Sequence, residues 1–211
     1  MNTEQLIELL SNDRLLRRRL GTTFLVAAAA GIFLAGVLFF TEIGVRADIA
    51  EAVHSIRFQF KFVVTMSLAA AAIVAMMKIA RPDGNLRSKG GALLLAPALL
   101  ACAAAIELVV VPSGQWMSHI VGHNSRSCLT LIPLISIGPL ACLLIALREG
   151  APSNPGLAGA MAGLAASGIA ATFYAANCND DSPLFVATWY PIAVLAVGLA
   201  GYLLGKPLLK W

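Results

Sequence analysis

Two of the four cysteines in this 211-residue chain stand beside polar groups, and they are the side chains with the widest chemical reach. Cys128 sits in Ser127-Cys128-Leu129, and Cys178 in Asn177-Cys178-Asn179-Asp180-Asp181. Thiolates take thiophilic cations, and an oxidising compartment lets two thiols join if their Cα atoms come within about 7 Å. Three states are open to such a pair: a structural staple, a redox or metal sensor, or two unpaired thiols. Cys102 and Cys142 lie in apolar runs, where a thiol behaves as a small hydrophobe. His119 and His123 are four residues apart, so on one helix they would share a face as metal ligands do; the competing reading is two histidines bonded to loop groups. Glu107 lies in an apolar run and wants a partner, which Arg126 or a histidine would supply. A single acid is thin support for a proton path.

The elements that position these residues are six apolar stretches, at about 22–41, 60–80, 91–111, 128–147, 156–176 and 184–205. About 20 apolar residues carry a helix across ~30 Å of hydrocarbon, and there each backbone must close its own hydrogen bonds. A composition of 59 % hydrophobic and 12 % charged residues fits that class. The expected fold is an all-α integral membrane protein, a six-transmembrane-helix bundle with residues 21–211 as one domain behind a leader at 1–20. The first stretch is too long for the apolar region of a cleaved signal, although Val45-Arg46-Ala47 mimics a cleavage site, so it reads as a retained anchor.

Eleven of the fifteen Lys and Arg fall on the side shared by both termini and the second and fourth loops. The positive-inside rule puts both termini in the cytoplasm and the two polar-flanked thiols in the periplasm. The net charge of +4 therefore reports topology, and direct nucleic-acid binding is not expected. Trp116, Trp189 and Tyr190 near the outer span ends suit an interfacial belt. Gly159, Gly163 and Ser167, with Gly201 and Gly205, permit close helix approach, either within the bundle or in a homodimer. Pro97, Pro133, Pro139 and Pro191 should kink their spans.

The leader is amphipathic. Thr3 suits an N-cap, Glu4 and Glu8 sit near the positive helix end, and Leu6, Ile7 and Leu10 share a face. Asp13 follows, then Leu15, Leu16, Arg17, Arg18 and Arg19 at the membrane boundary. Three readings compete: an interfacial helix on anionic lipid, a helix for a partner's groove, or a plain leader whose arginines set topology. The acidic first half favours a protein partner. Phosphate loops, nucleophile elbows and metalloprotease motifs are missing from the sequence, so no enzyme and no resident cofactor are expected.

Over its whole length the chain resembles the NrsF family of bacterial membrane anti-sigma factors. The leader pattern Leu6-Ile7…Leu10…Asp13…Arg17-Arg18, six spans, and one outer Cys at each of two helix ends carry the likeness. It implies inhibition of an extracytoplasmic-function sigma factor from the bacterial inner membrane, in response to heavy metals or oxidants. By that likeness Cys128 and Cys178 are the sensing thiols, a thiophilic metal enters only transiently as signal, and roughly Thr3–Arg19 grips the sigma factor. The rival from the residues alone is a small six-span transporter or channel for a metal or organic solute, with Glu107, His119, His123 and the thiols on its path.

Overall fold

Long apolar runs without water to bond their backbones fold as helices, and the computed structural model is helical throughout its regular structure. It describes residues 3–81 and 90–210, of which 3–19 and 90 by backbone only. The helices are α1 (Thr3–Leu38), α2 (Ile49–Ala52), α3 (Ile56–Ile79), α4 (Leu95–Val110), α5 (Trp116–Val121), α6 (Ser125–Leu147), α7 (Pro155–Ala175) and α8 (Pro183–Leu208). A π-turn at Phe39–Ile43 continues α1, and 3-10 turns at Gly90–Leu94 and Ser113–Gln115 lead into α4 and α5. Six of the described helical stretches are long and apolar enough to cross a membrane, and Phe33, Ile56 and Val109 are among the large apolar side chains left exposed around them.

The most buried span, α7, lies at the centre against α8, α3 and α6, with α1 on α6 and α4 at the edge on α8 and α3. Small residues put α7 there. A Cβ on Gly163 would stand 2.5 Å from the Val197 carbonyl oxygen and 2.8 Å from Gly198 Cα. Gly159, Gly201 and Gly205 meet one another's backbones in the same way, so this stripe packs α7 on α8 within the chain. Apolar side chains fill two zones: Phe24, Met76, Leu143 and Leu147 towards the leader end, Phe39, Ile132, Tyr174 and Phe185 towards the other. The second zone also holds Cys128 and Cys178, so we call that end the thiol end.

Pro133, Pro139 and Pro191 lie inside helices, as expected. Pro97 also lies within its span, in the first turn of α4, where a proline is best tolerated. Tyr190 departs from the interfacial belt: only 3 % exposed, it packs 6.0 Å from the Tyr174 ring in the core.

Candidate functional site

The segment between α7 and α8 is short, polar and tied to almost every neighbouring element at the thiol end. Asp180 Oδ2 accepts the backbone N–H groups of His123 and Asn124, at 2.9 and 2.7 Å, and the Asn124 side-chain amide at 3.0 Å. A carboxylate from another part of the chain therefore anchors the start of α6, where Asn124 is the N-cap. Asp181 is held by Lys61 Nζ at 2.6 Å and Arg46 Nη1 at 2.9 Å. The same two cations share the Cys178 carbonyl, Lys61 Nζ at 2.8 Å and Arg46 Nη1 at 3.3 Å, and both lie over the Phe58 ring. Lys61 is wholly buried, a position a cation tolerates only when its charge and donors are matched.

Arg46 extends the tie to the first span. Its N–H donates to the Ala176 carbonyl at 3.1 Å, and the Asn177 side chain donates to the Gly44 carbonyl at 3.0 Å. Its Nε and Nη2 grip Asp48 at 2.6 Å each. This fork raises the guanidinium pKa above its ordinary value and lowers that of the Asp48 carboxyl.

The two thiols lie beneath this polar layer. Both are fully buried and free, packed with Tyr174, Tyr190 and Phe185. Cys178 Sγ donates only a long bond, 3.7 Å, to the Asp180 carbonyl. Burial pushes the Cys178 thiol pKa up, against the opposing pull of the Lys61 charge. Neither sulfur is accessible from outside the folded chain. Cys102, by contrast, lies on the exposed face of α4, and Cys142 is half-buried in α6.

The histidines do not share a face. α5 ends at Val121, and Gly122 turns the chain with φ of 56°. A Cβ at Gly122 would stand 2.5 Å from the Phe185 ring and 2.8 Å from Asp180 Cγ, so both conformation and space call for glycine. His123 lies past the turn with its side chain 97 % exposed, whereas His119 Nδ1 lies 3.0 Å from Glu107 Oε1. No group of three metal-binding side chains converges among the described residues. The paired-ligand expectation therefore gives way to two separate roles.

Glu107 finds the histidine partner expected of it, but its arginine is Arg57, at 3.7 Å, and not Arg126. Its other oxygen accepts the Ser182 hydroxyl at 2.8 Å and the Leu184 N–H at 2.9 Å. Ser182 in turn is the N-cap of α8, accepting the Phe185 N–H at 3.4 Å, and Pro183 has no N–H to satisfy. Glu107 is thus a remote helix cap more than a proton relay.

At the leader end the Thr23 hydroxyl donates to Glu149 Oε2 at 2.9 Å, joining the first span to the segment after α6. Helix α1 runs unbroken from Thr3, but the side chains of Leu6, Ile7, Leu10, Asp13, Leu15, Leu16, Arg17 and Arg18 lie outside the described residues. Sequence reasoning missed Arg46, Lys61, Asp180 and Asp181 as site residues. A charge at the sixth position of an apolar helix, Lys61 in α3, was the available signal.

A family model described as negative regulator of sigma F, NrsF, matches residues 11–211. The chain is 34 % identical over 220 aligned residues to the anti-sigma-F factor NrsF of Caulobacter vibrioides, covering 100 % of both chains. It is 29 % identical over 213 aligned residues to the probable anti-sigma-F factor NrsF of Azospira oryzae, again with 100 % of both chains covered. No solved structure matches it. With the match spanning both the thiol-end polar layer and all six apolar helices, the chain belongs to the NrsF family of negative regulators of sigma F.

Proposed function

We propose that this anti-sigma factor sits in the bacterial inner membrane with both termini in the cytoplasm. Its leader, residues 3–19, holds an extracytoplasmic-function sigma factor away from RNA polymerase. Heavy-metal or oxidant stress at Cys128 and Cys178 in the periplasm loosens that grip. One observation carries the reading: Cys178 belongs to a segment that is bonded, through Arg46, to the span that continues into the leader. A chemical event at Cys178 therefore acts next to a contact that the first span depends on. The thiols' burial adds that they respond from an opened form, present as a minor population before stress. A transporter path finds little support, since Glu107 is engaged in capping α8 and His119 in holding Glu107.

The test is to replace Leu6, Ile7 and Leu10 together with Asp. An unpaired carboxylate buried at an interface costs several kcal/mol, enough to abolish a small one. Sigma-dependent transcription should rise to the level of a strain lacking the protein, with unchanged amounts in the membrane. Continued repression by that variant would remove the leader from the mechanism.

A further inference from the structure

The first span is clamped at both ends by the elements that carry the thiols. At the thiol end, Arg46 ties it to the Cys178 segment by backbone and side chain, and Asn177 adds the bond to Gly44. At the leader end, Thr23 bonds Glu149, which follows α6, and α6 begins three residues before Cys128. Between the clamps, Phe39 and Phe40 pack on Phe173 of α7 at 5.7 and 6.5 Å. The π-turn Phe39–Ile43 and Gly44, with φ of 72°, join Arg46 to the helix. π-turns are rare and recur at functional sites. Beyond that joint α1 runs as one helix of 36 residues into the leader, about 54 Å at 1.5 Å per residue. Among the described residues, the only charged side-chain tie between the end of that rod and the Cys178 segment is made by Arg46.

We propose that Arg46 is the positioning residue that couples the thiol end to sigma binding: its Nη1 bonds to the Cys178 carbonyl and Asp181 hold the first span in the form whose leader binds sigma, and loss of those bonds releases sigma. Lys61 makes similar bonds, but from α3, which is not continuous with the leader. Arg46 is also removable without stranding a charge, because Lys61 still matches Asp181. The inference rests on the reading that the leader is the sigma-binding element. By reciprocity, a coupling that lets the thiol end alter sigma affinity must let bound sigma tighten the thiol end by the same factor, typically 5-fold or more.

That reciprocity supplies a readout that mere support of the fold would not move. The full chain in nanodiscs is treated with a maleimide, with and without the sigma-F homologue purified from the same organism. Alkylation of Cys128 and Cys178 is followed by mass spectrometry, and a sigma-dependent reporter is read in cells. In the wild type, bound sigma should slow alkylation roughly 5-fold or more. In Arg46→Gln the rate should be the same with and without sigma. The reporter should rise roughly 5-fold or more without inducer, at unchanged membrane level. Glu51→Gln, at an exposed position outside the polar layer, should behave as wild type. If Arg46→Gln fails to accumulate, Arg46→Lys keeps the charge against Asp181 without both Nη1 bonds and should give an intermediate loss of both effects. Wild-type repression together with wild-type slowing of alkylation in an accumulating Arg46 variant would overturn the coupling. The leader variant with three Asp substitutions runs in parallel. If it still represses, the leader reading fails by itself, while the Arg46 comparison still decides whether the thiol end and sigma binding are coupled.

Discussion

Glu107 accepts the Leu184 backbone N–H at 2.9 Å, so the carboxylate of a peripheral helix completes the cap of a helix distant in sequence. With Ser182 on the next donor and Pro183 lacking one, the start of α8 leaves little backbone unsatisfied. The same carboxylate gives α4, the least buried span, its polar fastening to the bundle.

Removing that fastening should be expensive. Glu107→Ala leaves a buried N–H and hydroxyl without an acceptor, at about 1–3 kcal/mol each. Ser182→Ala should cost about 1 kcal/mol as a simple cap loss. Unfolding in detergent measures both. A Glu107→Ala cost no greater than that of Arg126→Ala would refute the capping role.

Wholly buried Lys61 and half-buried Asp181 form the charge pair that breaking should hurt most. Asp181→Asn leaves Lys61, wholly buried, with the Cys178 carbonyl and without its carboxylate, and about 3–5 kcal/mol is expected. The double change Lys61→Met, Asp181→Leu should recover much of that loss, since neither charge is then stranded. A double variant no more stable than Asp181→Asn would show that the pair matters for geometry rather than charge matching.

Most of the fold was legible because a bilayer-length apolar run admits one backbone solution, and six such runs leave one architecture. The thiol pair and Glu107 were legible as unusual side chains against that background. The polar layer was not, because Arg46, Lys61, Asp180 and Asp181 come from three segments that only packing brings together. A basic tally treats Arg46 and Lys61 as weights in a topology count, whereas in the structure they are ligands for one carbonyl. The histidine pair failed on a local fact: Gly122 ends the helix between them. Small-residue spacing pointed to close packing but left the partner helix open until α8 was seen to supply it.

The α7–α8 seam makes its own prediction. Gly163→Leu must push the Val197 carbonyl away, and overpacking of this kind costs about 1–3 kcal/mol or more. Gly21, which has open space around its position, should accept Ala without loss. Equal stability of the two variants in detergent would contradict the backbone contact.

Raised by burial, the Cys178 pKa gives a pH dependence of definite sign. The folded chain holds the thiol proton more tightly than the unfolded one. Its contribution to stability is therefore full below about 8.5, the ordinary thiol value, and is lost as pH rises through the higher folded value. Asp48 behaves oppositely: Arg46 lowers its pKa, so its pairing persists above about 3.9 and fades as pH falls through the depressed folded value. Maleimide labelling of Cys178 at pH 7 should be much slower than in the unfolded chain and should accelerate with alkalinity. Equal rates in folded and unfolded chains at pH 7 would show the thiol to be open.

Because Arg46 and Lys61 bind the carbonyl of residue 178 and not its sulfur, that position serves two purposes through different atoms. Any side chain that fits the pocket leaves the main-chain acceptor in place. Cys178→Ser therefore removes the sulfur while preserving the scaffold's wiring. A loss of responsiveness in that variant can be assigned to sulfur itself, a separation that few buried positions permit.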